Sequence, residues 1–185
     1  MFLTCFNIRM SETVSFQINR APVLTLWAAL VAERLGFDHD EALTLGRAVA
    51  GLNAFSKGKR LGIFDPATAN PSGKRSEAPE KGFEVALLKR AVPVVVTADG
   101  IRATSKGKPT SPASVEKYLA SKFGEHLDAT ERAMVHLAKS HPPDRLAAIA
   151  YQLYEQFRPE ISSGVEGWGP KGQLDLAKIL KASHP

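Results

Sequence analysis

The segment from Pro22 to Leu35 constrains the fold more than any other part of the chain. Its apolar residues Val23, Leu24, Leu26, Trp27, Leu30, Val31 and Leu35 cover most of the circumference of a helix. A helix that is apolar nearly all round is buried. The rest of the chain therefore has to be arranged around it. Asn19 stands at the capping position, and Pro22 fits the first turn, where a missing N–H costs nothing. Gly36 ends the helix. Asp38 then caps a second helix, with Glu41 three residues on to complete a capping box. Leu45, Val49, Leu52 and Phe55 form its apolar face, with Leu43 beside it. Gly46, Ala50 and Ala54 recur every four residues and make one edge narrow enough for the first helix to come close. The short connection makes the pair an antiparallel helix hairpin.

The remaining chain reads as mainly helical. Pro112 opens a helix capped by Ser111, with Val115, Tyr118 and Leu119 inward and Gly124 as its stop. Asp128, with Glu131 behind it, is expected to cap the next, carrying Met134, Leu137 and Ala138. Pro143 opens another, on which Leu146, Ile149, Ala150, Leu153, Tyr154 and Phe157 make the cleanest amphipathic stripe in the sequence. A short helix from Leu174 to Leu180 is expected to close the chain. Phe83 to Arg90 fits a helix or a strand. Val92 to Thr97 is β-branched, and Asp99-Gly100 follows as a turn, so one short antiparallel hairpin is expected near residues 92–104. The expected fold class is mainly α: about six helices, beginning with the helix hairpin, plus that one β-hairpin. The expected core is Leu26, Trp27, Leu30, Val31, Leu45, Val49, Leu52, Leu119, Leu137, Leu146, Ile149, Leu153 and Phe157. Residues 1–14 read as a disordered or over-called N-terminal extension, with Met10 an alternative start. Residues 15–185 read as a single helical domain with a mobile loop at 65–81, rich in Pro, Gly, Ser and charge.

Charge is unevenly placed. The net charge is +5 over 185 residues. Between Lys57 and Lys108 stand 11 basic residues against five acidic ones, while the rest of the chain is close to neutral. A partner inferred from the basic balance is therefore sought in this window. Lys57, Lys59 and Arg60 end the second helix, Lys89 and Arg90 precede the hairpin, and Arg102, Lys106 and Lys108 follow its turn. A helix followed by a basic hairpin has the element order of a winged helix-turn-helix, in which the hairpin touches phosphates.

Other chemistries find little support. Gly58-Lys59, Gly73-Lys74 and Gly107-Lys108 each lack both the upstream glycine and the following hydroxyl of a phosphate-binding loop. The histidines His39, His126, His136, His141 and His184 make no helix-borne ligand pair, and Cys5 is the only cysteine, so no metal site is expected. No Gly-x-Ser-x-Gly elbow is present. No cofactor, membrane span or small-molecule substrate is indicated, and a cytoplasmic protein is expected; enzymatic activity is left open, with a non-catalytic protein favoured over an enzyme with a scattered site. A scattered site would draw on Asn19, Arg20, Glu33, Arg34, Arg47 and Asn53. Among these, an ion pair between Glu33 and Arg47 is expected to brace the helix hairpin. Trp168, held among Gly167, Gly169 and Pro170, is a candidate for stacking on a ligand or base, against the alternative of a lid over the last helices.

The residues from Ile18 to Trp27, the Phe157-Arg158-Pro159 tripeptide and the Gly167 to Gly172 turn resemble those of a family of small, mostly bacterial proteins of uncharacterised function. The resemblance covers most of the chain from about Ser15 and implies no activity, cofactor or catalytic residue. The reading that follows from the residues is a small basic helical protein. It binds nucleic acid, duplex DNA by default, through phosphate contacts from the 57–108 segment. The alternative is a non-catalytic helical interaction module, a homo-oligomer whose second copy helps to cover the first helix.

Overall fold

The computed structural model describes residues 14–60, 82–165 and 169–184, with only the backbone of 57–60. The extension at 1–14 (all but Val14), the loop at 65–81 and Trp168 lie outside the described residues.

The helix expected at the centre is there. α1 (Arg20–Arg34) has every side chain from Pro22 to Ala32 buried. It packs against α2 (His39–Arg60), α3 (Pro112–Phe123), α4 (Leu127–Lys139) and α5 (Pro143–Phe157). Trp27, fully buried, donates its indole N–H to the Ala150 carbonyl on α5 at 2.8 Å and meets Phe157 edge to face at 5.4 Å. The coverage that prompted the expectation of a second subunit is thus supplied by the chain itself. Close approach of α1 and α2 depends on Gly46. A Cβ at that position would sit 2.4 Å from the Thr25 carbonyl oxygen and 2.8 Å from the Ala29 nitrogen. The expected core residues are buried, with Leu52 and Ile149 partly covered at its rim.

The capping box forms as expected. The Glu41 amide donates to Asp38 Oδ1 at 2.9 Å, and the Asp38 amide donates back to Glu41 Oε2 at 3.3 Å. Asn19 occupies the N-cap of α1 but does not cap it through its side chain. Its amide donates instead to the Gly169 carbonyl. Nor does Asp128 cap α4: the helix begins one residue earlier, after a short 3₁₀ turn at Gly124–His126, with His126 at the cap.

Mainly α is right as a class, but the expected helix count and single hairpin are not matched. The described residues hold five helices of 12 or more residues, a closing seven-residue helix α6 (Leu176–Ala182), and two small antiparallel sheets. The first sheet pairs β1 (Ser15–Asn19) with β6 (Lys171–Asp175), from Ser15 opposite Asp175 to Asn19 opposite Lys171. Residues around Leu174 that read as helix are therefore strand, and Asp175 caps α6 by accepting from the Ala177 amide at 2.9 Å. The second sheet is a meander of β2 (Phe83–Leu87), β3 (Arg90–Thr97), β4 (Gly100–Ser105) and β5 (Lys108–Pro109). Phe83 to Leu87 is strand because Leu87 is buried and Val85 half-buried, in alternation with exposed Glu84 and Ala86. This is period two rather than 3.6.

The two-residue β5 covers only the end of β4, and helix α2 lies along the rest of that side, where its side chains take the place of a neighbour strand. Glu41 Oε1 accepts from the Ile101 amide at 3.0 Å, and the Thr44 hydroxyl accepts from the Ala103 amide at 3.1 Å. Unpaired strand amides are a liability at a sheet edge. Here two of them are satisfied by a helix.

Candidate functional site

The strand order decides where the basic residues lie. In an antiparallel meander, alternate turns fall at the same end of the sheet. The β2–β3 turn at Leu88 and Lys89 and the β4–β5 turn at Lys106 and Gly107 therefore share one end. The β3–β4 turn, with Asp99, sits at the other. The start of β3 and the end of β4 stay adjacent, since the Thr104 hydroxyl reaches the Pro93 carbonyl at 3.4 Å. Lys89, Arg90, Lys106 and Lys108 are thus brought to one end.

Helix α2 follows the same polarity. Its first turn, with Asp40 and Glu41, lies beside Gly100 and Arg102, whereas Asn53 and Ser56 lie beside Arg90. The helix runs towards the basic end of the sheet, and the backbone of Lys57, Lys59 and Arg60 forms its final turn there. Their side chains lie outside the described residues. Acids at the start and cations at the end of α2 also suit the helix dipole.

Arg90 is oriented rather than loose. Its guanidinium donates to Ser56 Oγ at 3.1 Å and to Asn53 Oδ1 at 3.0 Å, both neutral partners that leave its charge uncompensated. Lys89, Lys106 and Lys108 are exposed. None of these four cations has a carboxylate within ion-pair distance among the described residues. Lys89 and Lys106 have φ of 60° and 51°, and Leu88, between β2 and Lys89, has φ of 46°. Left-handed backbone costs a non-glycine residue on the order of 1 kcal/mol, and such strain collects at functional sites.

Arg102 does not belong with them. It is 6% exposed and turned towards the acidic end of the sheet. Its guanidinium donates to the Ile101 carbonyl at 2.8 Å and the Asp99 carbonyl at 3.1 Å, and approaches Asp40 at 3.7 Å. The expected phosphate contact from this residue is corrected to an internal brace between β4 and the start of α2. The expected Glu33–Arg47 pair is also absent. Glu33 Oε1 contacts His39 Nδ1 at 2.6 Å, and the Arg47 guanidinium lies 4.3 Å from the centre of the Tyr118 ring.

Sequence reasoning missed a second pair of cations, Arg20 and Arg158, beside α5. Asn53 Oδ1 also accepts from the Tyr151 hydroxyl at 3.4 Å, which links the sheet end to α5. On α5, Tyr154 donates to the Arg20 carbonyl at 3.4 Å, and Arg20 Nε donates to the Pro159 carbonyl at 3.0 Å. Arg20 and Arg158 lie near enough to repel. Partial burial, and then that repulsion, lower the pKa of Arg20. Neither has a carboxylate partner among the described residues. The Phe157-Arg158-Pro159 tripeptide was the available signal, but its role depends on a contact 138 positions away in sequence.

Among the described residues, no group of three or more His, Cys, Asp or Glu is placed to hold a metal ion, and no helix is long and apolar enough to cross a membrane. No family model, curated protein or solved structure matches the chain.

Proposed function

We propose that the chain binds nucleic acid, with duplex DNA as the first target, through phosphate contacts at the basic end of the β2–β5 sheet. The observation that carries this reading is the gathering of Lys89, Arg90, Lys106 and Lys108 at one sheet end without a paired carboxylate. Unpaired exposed cations on a rigid frame suit the phosphate backbone, which fixes position without reading sequence. Lys57, Lys59 and Arg60 join this set through the direction of α2. Arg20 and Arg158, beside α5, are two further cations without a carboxylate partner among the described residues.

The test is fluorescence anisotropy with a labelled duplex of about 20 base pairs over a range of salt, where each neutralised phosphate contributes a log–log slope of roughly −0.9. Four contacts give a slope of about −3.6. Replacing Lys89, Lys106 and Lys108 together by Gln should flatten the slope by about 2.7 without changing the melting temperature. Absence of binding at micromolar protein in low salt, with both duplex DNA and single-stranded RNA, would overturn the proposal. So would a slope unchanged in the triple variant.

A further inference from the structure

A separate cleft lies between the C-terminal half of α1 and the last turns of α4, away from the basic sheet end. It has a volume of about 260 Å³ and is lined by Leu30, Glu33, Arg34, Val135, Ala138 and Lys139. Its wall has an apolar part, from Leu30, Val135 and Ala138, and a charged part, from the other three. The small side chain of Ala138 leaves the room.

Arg34 is incompletely satisfied. One of its Nη2 hydrogens makes a long bond to the His141 carbonyl at 3.4 Å, while its buried Nε has no partner among the described residues. His141, just beyond the end of α4, is 9% exposed, and its Nε2 is likewise unpartnered.

We infer that this cleft binds a small organic monocarboxylate with a short aliphatic body. The planar guanidinium of Arg34 matches a carboxylate head, and Leu30, Val135 and Ala138 match the body. Two cations against one carboxylate leave a single net positive charge in the lining, which suits a monoanion better than a phosphate dianion. The volume equals that of roughly nine water molecules at ~30 Å³ each. Glu33, held by His39 at 2.6 Å, stays beside the charged end and disfavours a second negative charge on the ligand.

The probe is hexanoate, titrated into the full chain and followed by amide and methyl NMR, with hexan-1-ol and inorganic phosphate as comparators. Hexanoate should shift Leu30, Val135 and Ala138 saturably. Arg34→Met should weaken it by about tenfold or more, the loss of a charge-assisted hydrogen bond. Ala138→Leu should block it by filling the cleft while keeping the cations. If Arg34→Met does not fold, Lys139→Met supplies the charge arm. No saturation by about 10 mM hexanoate, a range that still detects very weak binding, overturns the inference. It is equally overturned by equal affinity for hexan-1-ol or phosphate, or by unchanged affinity in Ala138→Leu. None of these outcomes depends on nucleic-acid binding.

Discussion

Replacing Glu41 with Ala should destabilise the protein by more than its half-exposed position suggests. The carboxylate has two jobs, one per oxygen. Oε2 accepts from the Asp38 amide at 3.3 Å in the capping box, and Oε1 accepts from the Ile101 amide at 3.0 Å on the open side of β4. The first bond is exposed and long, so its loss costs on the order of 0.5 kcal/mol. The reverse bond, from the Glu41 amide to Asp38, survives because it uses backbone. The second loss strands a part-buried N–H at a sheet edge, which costs about 1.5 kcal/mol. The total, about 2 kcal/mol, corresponds to a fall in melting temperature of roughly 4–8 °C for a chain of this size. Thermal unfolding followed by circular dichroism measures the fall, and hydrogen exchange locates it. The Ile101 amide should lose protection in Glu41→Ala and keep most of it in Glu41→Gln, which retains one acceptor oxygen. If the melting temperature stays within about a degree, or Ile101 exchanges at the same rate in both variants, the account of α2 as a strand substitute is wrong.

Three further predictions follow from the packing and from two titrating groups. Gly46→Ala should lower the urea midpoint. The new Cβ, 2.4 Å from the Thr25 carbonyl oxygen, forces the helices apart at a cost of about 1–3 kcal/mol, offset by about 1 kcal/mol of helix propensity. A raised midpoint would contradict that packing. The hydrogen bond that the His39 ring donates to Glu33, with further support from Glu116, raises the His39 pKa above its ordinary 6.5. Its contribution to stability is therefore fully present below pH 6.5 and fades as pH rises through the higher folded value. His39→Gln should remove that part of the pH dependence in urea titrations on either side of neutrality, and an unchanged profile would exclude His39 as its source. Burial pushes the Tyr154 phenol well above its usual 10.0, so it should ionise last in an alkaline absorbance titration. Its stabilising effect is present below pH 10.0 and is lost as the pH climbs towards the folded value. A Tyr154→Phe variant that still shows this late step would assign it elsewhere.

How far the fold could be read from residues alone depended on sequence separation. The Asp38–Glu41 box and the Gly46 edge were legible because their determinants are local, within one turn or one four-residue spacing. The pairing of β1 with β6 was not, because Ser15 meets Asp175 across almost the whole chain. Neither strand is marked as strand by its own composition. Arg102 looked like its basic neighbours, and only the folded path of α2, which brings Asp40 alongside, removes it from the surface. Glu33 and Arg47 looked like partners on adjacent helices. His39, just beyond the Gly36 turn, reaches Glu33 first, and Tyr118 on α3 takes Arg47. For the candidate site, the sequence located the charge but not its arrangement. The arrangement comes from the meander, whose alternate turns gather Lys89 and Lys106.

The β1–β6 pair also determines how the protein responds to force. Ser15 and Asp175 lie opposite each other, so the chain enters β1 and leaves β6 at the same end of the two-stranded ribbon. Tension applied to the two ends of the polypeptide, once α6 has come away, loads the ribbon at that end alone. Its bonds then open one after another in a zipper, from Ser15 towards Asn19, rather than sharing the load in shear. After α6, mechanical opening therefore passes to this ribbon, and it frees the segment leading into α1 before the helix hairpin itself bears tension.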